Sequence, residues 1–377
     1  MRTYNRRKLV VSAVVLTGLL FAASSAWAGG TKEASSNGNG TSSASSSSGG
    51  KIALLETGSS LLYPLFNLWV PDYTTKNPNI QLTTQSTGSG TGIAMATNGS
   101  AQIGASDAYL SDALMKKTPG MLNVPLAISA QQINYNVPGL NTQHLKLSGP
   151  VLSGIYGGKI LYWDDPAIAQ INPGVNLPHH AIVPVHRTDG SGDTFIFTQF
   201  LSDSTPQWND SIGAGLTVSW PAVQGGIGAE GNPGMVQAIE QNPYSVAYIG
   251  ISWLDQATKA GMGEAMLQNQ AGNFVLPDET TVKAAAAAMF KKTPQDERIS
   301  LIYAPGAQSY PIINYEYAII QTKQPNQAEA TALKAFLTWA LSADGGGAAT
   351  YLNKVHFQPL PASVSQLSID QVNKITG

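Results

Sequence analysis

Beyond residue 50 the chain alternates two hydrophobic rhythms. Short apolar runs of strand type, KIALLE (51–56), NIQLTTQ (79–85) and AQIGAS (101–106), are each followed by a helical pattern: LLYPLFNLWVPDY (61–73), GIAMATNG (92–99) and LSDALMKK (110–117). Ser111 or Asp112 is a suitable cap for the last of these. NVPLAISAQQINYNV (123–137) is a long β-type stretch, and VLSGIYGG (151–158), NPYSVAYIGIS (242–252) and YPIINYEYAIIQT (310–322) share its character. Helical patterns return in ETTVKAAAAAMFKK (279–292) and NQAEATALKAFLTWALS (326–342). Such alternation predicts an α/β protein with largely parallel sheets. The chain's 377 residues are enough for two bodies of that kind, each with its own core.

One junction recurs in this pattern. A strand, a Gly/Ser/Thr loop and a helix start follow one another in ALLETGSSLLYPLF (53–66), LTTQSTGSGTGIAM (82–95) and VPVHRTDGSGDTFIF (183–197). A fourth stretch, IGASDAYLSD (103–112), sets Asp107 just after a short strand and ahead of a helix. Glycine lets the backbone approach a ligand, hydroxyls donate, and a helix start presents unpaired N–H groups at the positive end of its dipole. Each junction is a seat for an anion. Taken singly, each is better read as a capped turn; three together with a charged pair are harder to explain by capping.

Candidate chemistry narrows the choice. TDGSGDTF lacks the Gly-Lys-Ser/Thr ending of a Walker loop, and its Gly-Ser-Gly is not a nucleophile elbow. His186 follows a strand with apolar neighbours, which suits a packed or edge histidine better than a base. His179 and His180 are adjacent in a loop with no ligand at metal spacing, so no metal and no cofactor is expected. Arg187 is the cation placed to offer a fork of donors to an oxyanion. Asp107 and Asp193 fit an anion site only if the ligand carries protons. Hydrogen phosphate has P–OH groups that need acceptors, and sulfate has none. A site built on such a bond can reject the analogue by roughly 10⁴–10⁵. The competing reading of Asp107 is a helix N-cap.

Composition changes the picture in three ways. Charged residues make up only 12% of the chain, about half the usual share, and net charge is −2, which excludes an electrostatic case for nucleic acid. Cysteine is absent, which removes disulfides, thiolate chemistry and a lipid-modified N-terminal cysteine. Arg2, Arg6, Arg7 and Lys8, the apolar LVVSAVVLTGLLFA (9–22) and Ala26-Trp27-Ala28 read as a signal peptide cleaved after residue 28. The Ser/Gly/Asn-rich stretch 29–50 reads as a disordered linker. After cleavage 17 cations face 23 acids, so attraction for an anion must come from local groups.

At these residues the sequence resembles the phosphate-binding proteins of high-affinity phosphate ABC transporters (the PstS type). TGSSLLYPLFNLW, TGSGTGIA, IGASDAYLSD, LAISAQQINYN, WDDPAIAQINPGVNLP, HRTDGSGDTFIFTQFLS, VAYIGIS, YPIINYEYAII and VHFQPLP carry the likeness from about Glu56 to Pro361. The resemblance implies a two-lobed Venus-flytrap (type II) α/β fold, with a mixed sheet in each lobe and two hinge crossings. It places lobe I at 51–134 plus 311–377 and lobe II at 135–310. It implies capture of inorganic phosphate and delivery to permease and ATPase subunits, by a monomer without catalysis, in the periplasm or outside the cell. Carried over by position, Ser59, Ser60, Leu61, Ser89, Asp107, Arg187, Ser191, Gly192 and Asp193 bind phosphate, and Asp189 and Thr194 support them. Many members have threonine where this chain has Asp193. That residue is either an acceptor for a second proton of H₂PO₄⁻ or an aspartate serving a helix dipole. Arsenate shares the protonation pattern and is the near rival; a secreted phosphohydrolase is the rival from another class.

Overall fold

Each Gly/Ser loop joins a strand to a helix in a computed structural model, which describes residues 50–377. The expected signal peptide and nearly all of the linker lie outside the described residues. Strand β1 (Ile52–Gly58) leads to α1 (Tyr63–Lys76), β2 (Ile80–Ser86) to α2 (Ser89–Thr97), and β3 (Ile103–Ser106) to α3 (Asp112–Lys117). Ser111 is the α3 cap, accepting from Leu114 N. Asp107 lies outside that helix and does not cap it.

Next comes β4 (Met121–Asn136), sixteen residues long and almost wholly buried. After β5 (Lys146–Leu147), the segment expected as β-type at 151–158 is instead helix α4 (Gly149–Tyr156). Ser148 caps it, with Val151 N donating to its hydroxyl at 3.4 Å, and Pro150 sits in the first turn, where a missing N–H is harmless. Its apolar residues are buried on nearly every side, so periodicity could not separate helix from strand. Then follow α5 (Pro166–Ile171), β6 (Val183–Arg187), α6 (Gly192–Ser204), α7 (Pro206–Ser211), β7 (Ile227–Ala229), α8 (Gly231–Gln241) and β8 (Ser245–Gly250). Short strands β9 (Gly263–Glu264), β10 (Met266–Gln268) and β11 (Phe274–Val275) precede β12 (Ile313–Gln321).

The principal strands run in the order β2-β1-β3-β12-β4-β8-β6-β7, with β9 also on β4, while β5, β10 and β11 form a separate small sheet. The pairing is mixed, not largely parallel. β1 is parallel to β2 and β3, and β6 is parallel to β7 and β8, but β12 is antiparallel to β3 and β4, and β4 is antiparallel to β8. The βα junctions produce the parallel pairs, which need crossovers. The two long strands β4 and β12 are joined through the whole second half of the molecule and so escape that constraint.

Strand β4 serves both halves. Met121–Ala130 pairs with β12, and from Gln131 to Asn136 the partner becomes β8. The chain enters the second half through this switch and is back in the first at β12. It touches the first half before then. Tyr317 OH donates to Glu297 O at 3.0 Å, and Ser368 Oγ donates to Glu297 Oε1 at 2.8 Å. In the first half, α1 packs on the helix Gln327–Leu341 through aromatic contacts, Tyr73 to Phe336 at 5.0 Å and Trp69 to Phe336 at 6.2 Å between ring centres. Such buried pairs add about 0.5–1.5 kcal/mol each beyond their area. They give the loop after β1 a rigid base.

Candidate functional site

The strand ends bring all four singled-out loops to one place. From the first half come the β1–α1 loop with Ser59, Ser60 and Leu61, the start of α2 with Ser89, and Asp107 just beyond β3. From the second come Arg187 at the end of β6, Asp189, and the start of α6 with Ser191, Gly192, Asp193 and Thr194. Ser59, Ser60, Ser89, Asp107, Arg187, Ser191 and Asp193 are buried, each at most 3% exposed, so the polar cluster is sealed between the halves. Among the described residues the roomier clefts lie elsewhere; one of about 470 Å³ is lined by Leu126, Leu341, Leu360 and Ile369.

On the first-half side, Asp107 is held by hydroxyls. Ser59 Oγ donates to Oδ1, and Ser89 Oγ lies 3.3 Å from Oδ2. Ser59 Oγ in turn accepts from Leu61 N at 3.1 Å and Leu62 N at 2.9 Å, which ties the first turn of the loop to Asp107. Burial pushes the Asp107 carboxyl up to about 7, and the nearby charge of Asp193 adds to the shift. The Ser59 hydroxyl, a contact with Glu316 and the Arg187 charge work against that rise.

On the second-half side, Arg187 is gripped by two carboxylates. Nε donates to Asp189 Oδ1 at 2.7 Å, Nη2 pairs with Asp189 Oδ2, and Nη1 donates to Asp193 Oδ2 at 2.9 Å. Burial opposes its charge, but these partners hold its pKa above the ordinary arginine value. Burial also raises Asp189, yet Arg187 outweighs it and holds the carboxyl below its usual range. Asp193 is raised, chiefly by burial, with Arg187 as the main opposing influence. Thr194 turns away from the cluster to Tyr248 OH at 2.8 Å, and Tyr248 OH accepts from Arg187 N at 2.9 Å. Ser191 Oγ caps α6 through Thr194 N at 3.1 Å. His186 is not part of this set; its ring stacks on Trp220 at 5.1 Å.

The halves meet through small residues. Gly90 N donates to Gly190 O at 2.8 Å. Gly88 has a φ of 84°, and a Cβ there would stand 2.4 Å from Asp189 Oδ2. A Cβ on Gly192 would stand 2.4 Å from Asp107 Oδ2 and 2.6 Å from Ser89 Oγ. These positions require glycine because two backbones and two carboxylates converge there.

Sequence reasoning missed two members of this cluster. Asn232, fully buried at the start of α8, donates from Nδ2 to Asp193 Oδ2 at 2.7 Å and to Ser60 Oγ at 2.9 Å; its backbone N also reaches Ser60 Oγ, at 3.0 Å. Gln131, at the β4 partner switch, donates from Nε2 to Asp193 Oδ1 at 3.0 Å. The stretch IGAEGNPG (227–234) has the same strand–glycine–helix form as the other loops, so the signal for Asn232 was present. Gln131 sits in a strand interior with no local mark. Asp193 thus combines both sequence readings. It lies in the first turn of α6, and it also accepts from Arg187, Asn232 and Gln131.

Comparisons with known proteins bear on the family and the fold. A family model described as a PBP superfamily domain matches residues 33–344. The phosphate-binding protein PstS of Methanocaldococcus jannaschii is 34% identical over 346 residues, covering 86% of each chain. That of Pasteurella multocida is 35% identical over 309 residues, 82% of this chain and 86% of its own. Among solved structures, a high-affinity periplasmic phosphate-binding protein with phosphate bound (PfluDING) superposes with a TM-score of 0.68 at 20% identity, over 86% of this chain and 98% of that one. A phosphate-binding protein from Stenotrophomonas maltophilia gives 0.66 at 19% identity, over 85% and 94%. At these identities the solved structures attest the two-lobed fold.

Proposed function

The chain belongs to the PstS family of phosphate-binding proteins, and from that premise we propose that it captures inorganic phosphate between its two halves and hands it to an ABC permease. The observation that carries this reading is the buried pairing of opposites across the seam. Asp107, an acceptor, belongs to one half, and Arg187 with the N-terminus of α6 belongs to the other. Hydrogen phosphate is an anion with a proton to donate, and it needs both.

In this reading Ser59, Ser60, Leu61 and Ser89 present backbone N–H groups and hydroxyls from lobe I, and Asp107 takes the phosphate proton. Arg187, Ser191, Gly192 and Asp193 close from lobe II, and Asp189 orients the guanidinium. The lobes are 51–134 plus 311–377 and 135–310, with the β4 switch at Ala130–Gln131 as one hinge crossing. Closure swings the Arg187 loop onto an anion already held at Asp107. The free energy used in this reading is that of binding alone. The protein works outside the cytoplasm as a monomer, with the transporter's membrane and ATPase subunits as partners. Asp193 Oδ1 carries one protein donor, so it has a lone pair for a second proton of H₂PO₄⁻.

Calorimetry with phosphate and with sulfate, on the parent and on Asp107→Asn, tests the reading. The parent should bind phosphate and reject sulfate, and Asp107→Asn should weaken phosphate and narrow the gap. Equal binding of both anions by the parent would overturn it. Hydrolysis of a phosphate monoester by pure protein would favour the phosphohydrolase instead.

A further inference from the structure

Behind Asp107 lies a second carboxyl that the phosphate reading does not use. Tyr317 pairs with Ser106 in the last rung of the antiparallel β12–β3 ladder, and Glu316 and Asp107 are the next residues of their two chains beyond it. The Asp107 charge acts on Glu316 there, and like charges so close repel. Glu316 is fully buried, as is Asp107. Its Oε1 lies 2.5 Å from Ser129 Oγ and 2.9 Å from Asn314 Nδ2. Asn314 Nδ2 also reaches Asp107 O at 3.3 Å, which binds the two segments together. Glu316 Oε2 is buried with no donor near it. Two neighbouring buried anions, one with a bare oxygen, are an arrangement a protein avoids by keeping a proton.

We propose that Glu316 and Asp107 hold one proton between them, carried on Glu316 Oε2 and donated to Asp107, and that Glu316 is thereby the positioning residue for the phosphate acceptor. A neutral Glu316 leaves Asp107 as the only charge of the pair and as a pure acceptor. That state accepts a P–OH and repels a bare sulfate oxygen. The charged groups around the pair are Asp193 and Arg187 from the opposite half; β4 and β12 contribute neutral Ser129 and Asn314. Burial first, and then the Asp107 charge, raise Glu316 well above an ordinary glutamate. As pH rises far enough to remove the shared proton, a second negative charge appears beside the ligand and affinity must fall.

The inference rests on the phosphate reading, and the full chain tests the two separately. Phosphate and sulfate affinities are measured by calorimetry from about pH 7 to pH 10 for the parent, Glu316→Gln and Glu316→Leu. Infrared pH titration of the ligand-free proteins accompanies them. Glutamine keeps the acceptor for Ser129 and Asn314 and a permanent neutral donor for Asp107. The parent should lose about tenfold in phosphate affinity toward pH 10, and Glu316→Gln should not. Glu316→Leu should bind phosphate about tenfold more weakly at pH 8 and lose a similar factor in phosphate-over-sulfate preference. The infrared band of a protonated carboxyl present in the parent at pH 8 should be missing from Glu316→Gln. A glutamine variant whose pH profile and infrared spectrum follow the parent's would overturn the shared proton, and a leucine variant with parental preference would overturn the positioning role. The infrared result needs no ligand, so it decides the proton even if phosphate gives no heat, an outcome that would count against the phosphate reading instead.

Discussion

Asn232 Nδ2 donates to Ser60 Oγ at 2.9 Å, so a side chain of the second half reaches into the first loop of the other. The same amide donates to Asp193 Oδ2 at 2.7 Å, and its Oδ1 accepts from Gly250 N at 2.8 Å. One buried amide thus links the Arg187–Asp193 ion pair to the loop that carries Ser59. The two halves are locked to each other through polar groups that also surround the proposed anion seat.

Replacing Asn232 with alanine removes a side-chain donor from Asp193 and from Ser60 and the acceptor for Gly250 N, while the backbone donor to Ser60 stays. Leaving such buried groups unpaired costs about 1–3 kcal/mol. Phosphate binding should weaken by roughly ten- to a hundredfold, and scattering should report less compaction on adding phosphate. Parental affinity would show that this contact has no share in closure.

Gly192→Ala places a methyl where Asp107 Oδ2 stands 2.4 Å away. The clash is between halves, not within one. The variant should melt near the parent temperature without ligand yet bind phosphate at least about a hundredfold more weakly, because the closed form is blocked. A matched loss of melting temperature and affinity would mean instead that the residue only supports the fold of its own half.

Asp193→Thr leaves Arg187 with Asp189 alone and removes the free lone pair on Oδ1. The parent should hold phosphate comparatively better at about pH 5–6 than at pH 8, and the threonine variant should lose that advantage, by up to about tenfold. Affinities across pH 4–8 decide it; superimposable profiles would leave Asp193 with the helix and ion-pair roles only.

Glu297 carries a prediction about stability. Buried against Ser368 and Gln371, its carboxyl is pushed up to about 8, chiefly by desolvation. The folded state keeps this proton while the unfolded chain releases it near the ordinary glutamate value of 4.5. Stability from the neutral group is therefore complete below that value and is lost as pH rises to about 8. Glu297→Gln should match the parent's melting temperature near pH 4.5 and exceed it at pH 8.5, by an amount reflecting a few kcal/mol at most. Parallel melting curves across that range would show that the carboxyl titrates normally.

Much of the site was legible because its chemistry is local. A glycine loop between a strand and a helix start is written in consecutive residues, and so are Arg187, Asp189 and the Ser191 cap. Asp107 could be singled out because a carboxylate after a buried strand has few other reasons to be there. The helix at 149–156 departs from the β-type expectation because a largely buried helix and a buried strand both read as apolar runs. The parallel expectation failed because pairing direction between β4 and β12 is settled by residues nearly two hundred positions apart.

The sequence by itself determined the α/β alternation, the four loops and the likeness to a phosphate-binding family. Each depends on short-range patterning or on motif order. Only the tertiary structure decided which groups touch across the seam. Asn232 and Gln131 converge on Asp193, and Glu316 stands behind Asp107, because strand register and the partner switch in β4 place them there. Register is set by the packing of whole strands, and burial then turns ordinary carboxyls into proton-holding ones. No run of neighbouring residues records either effect.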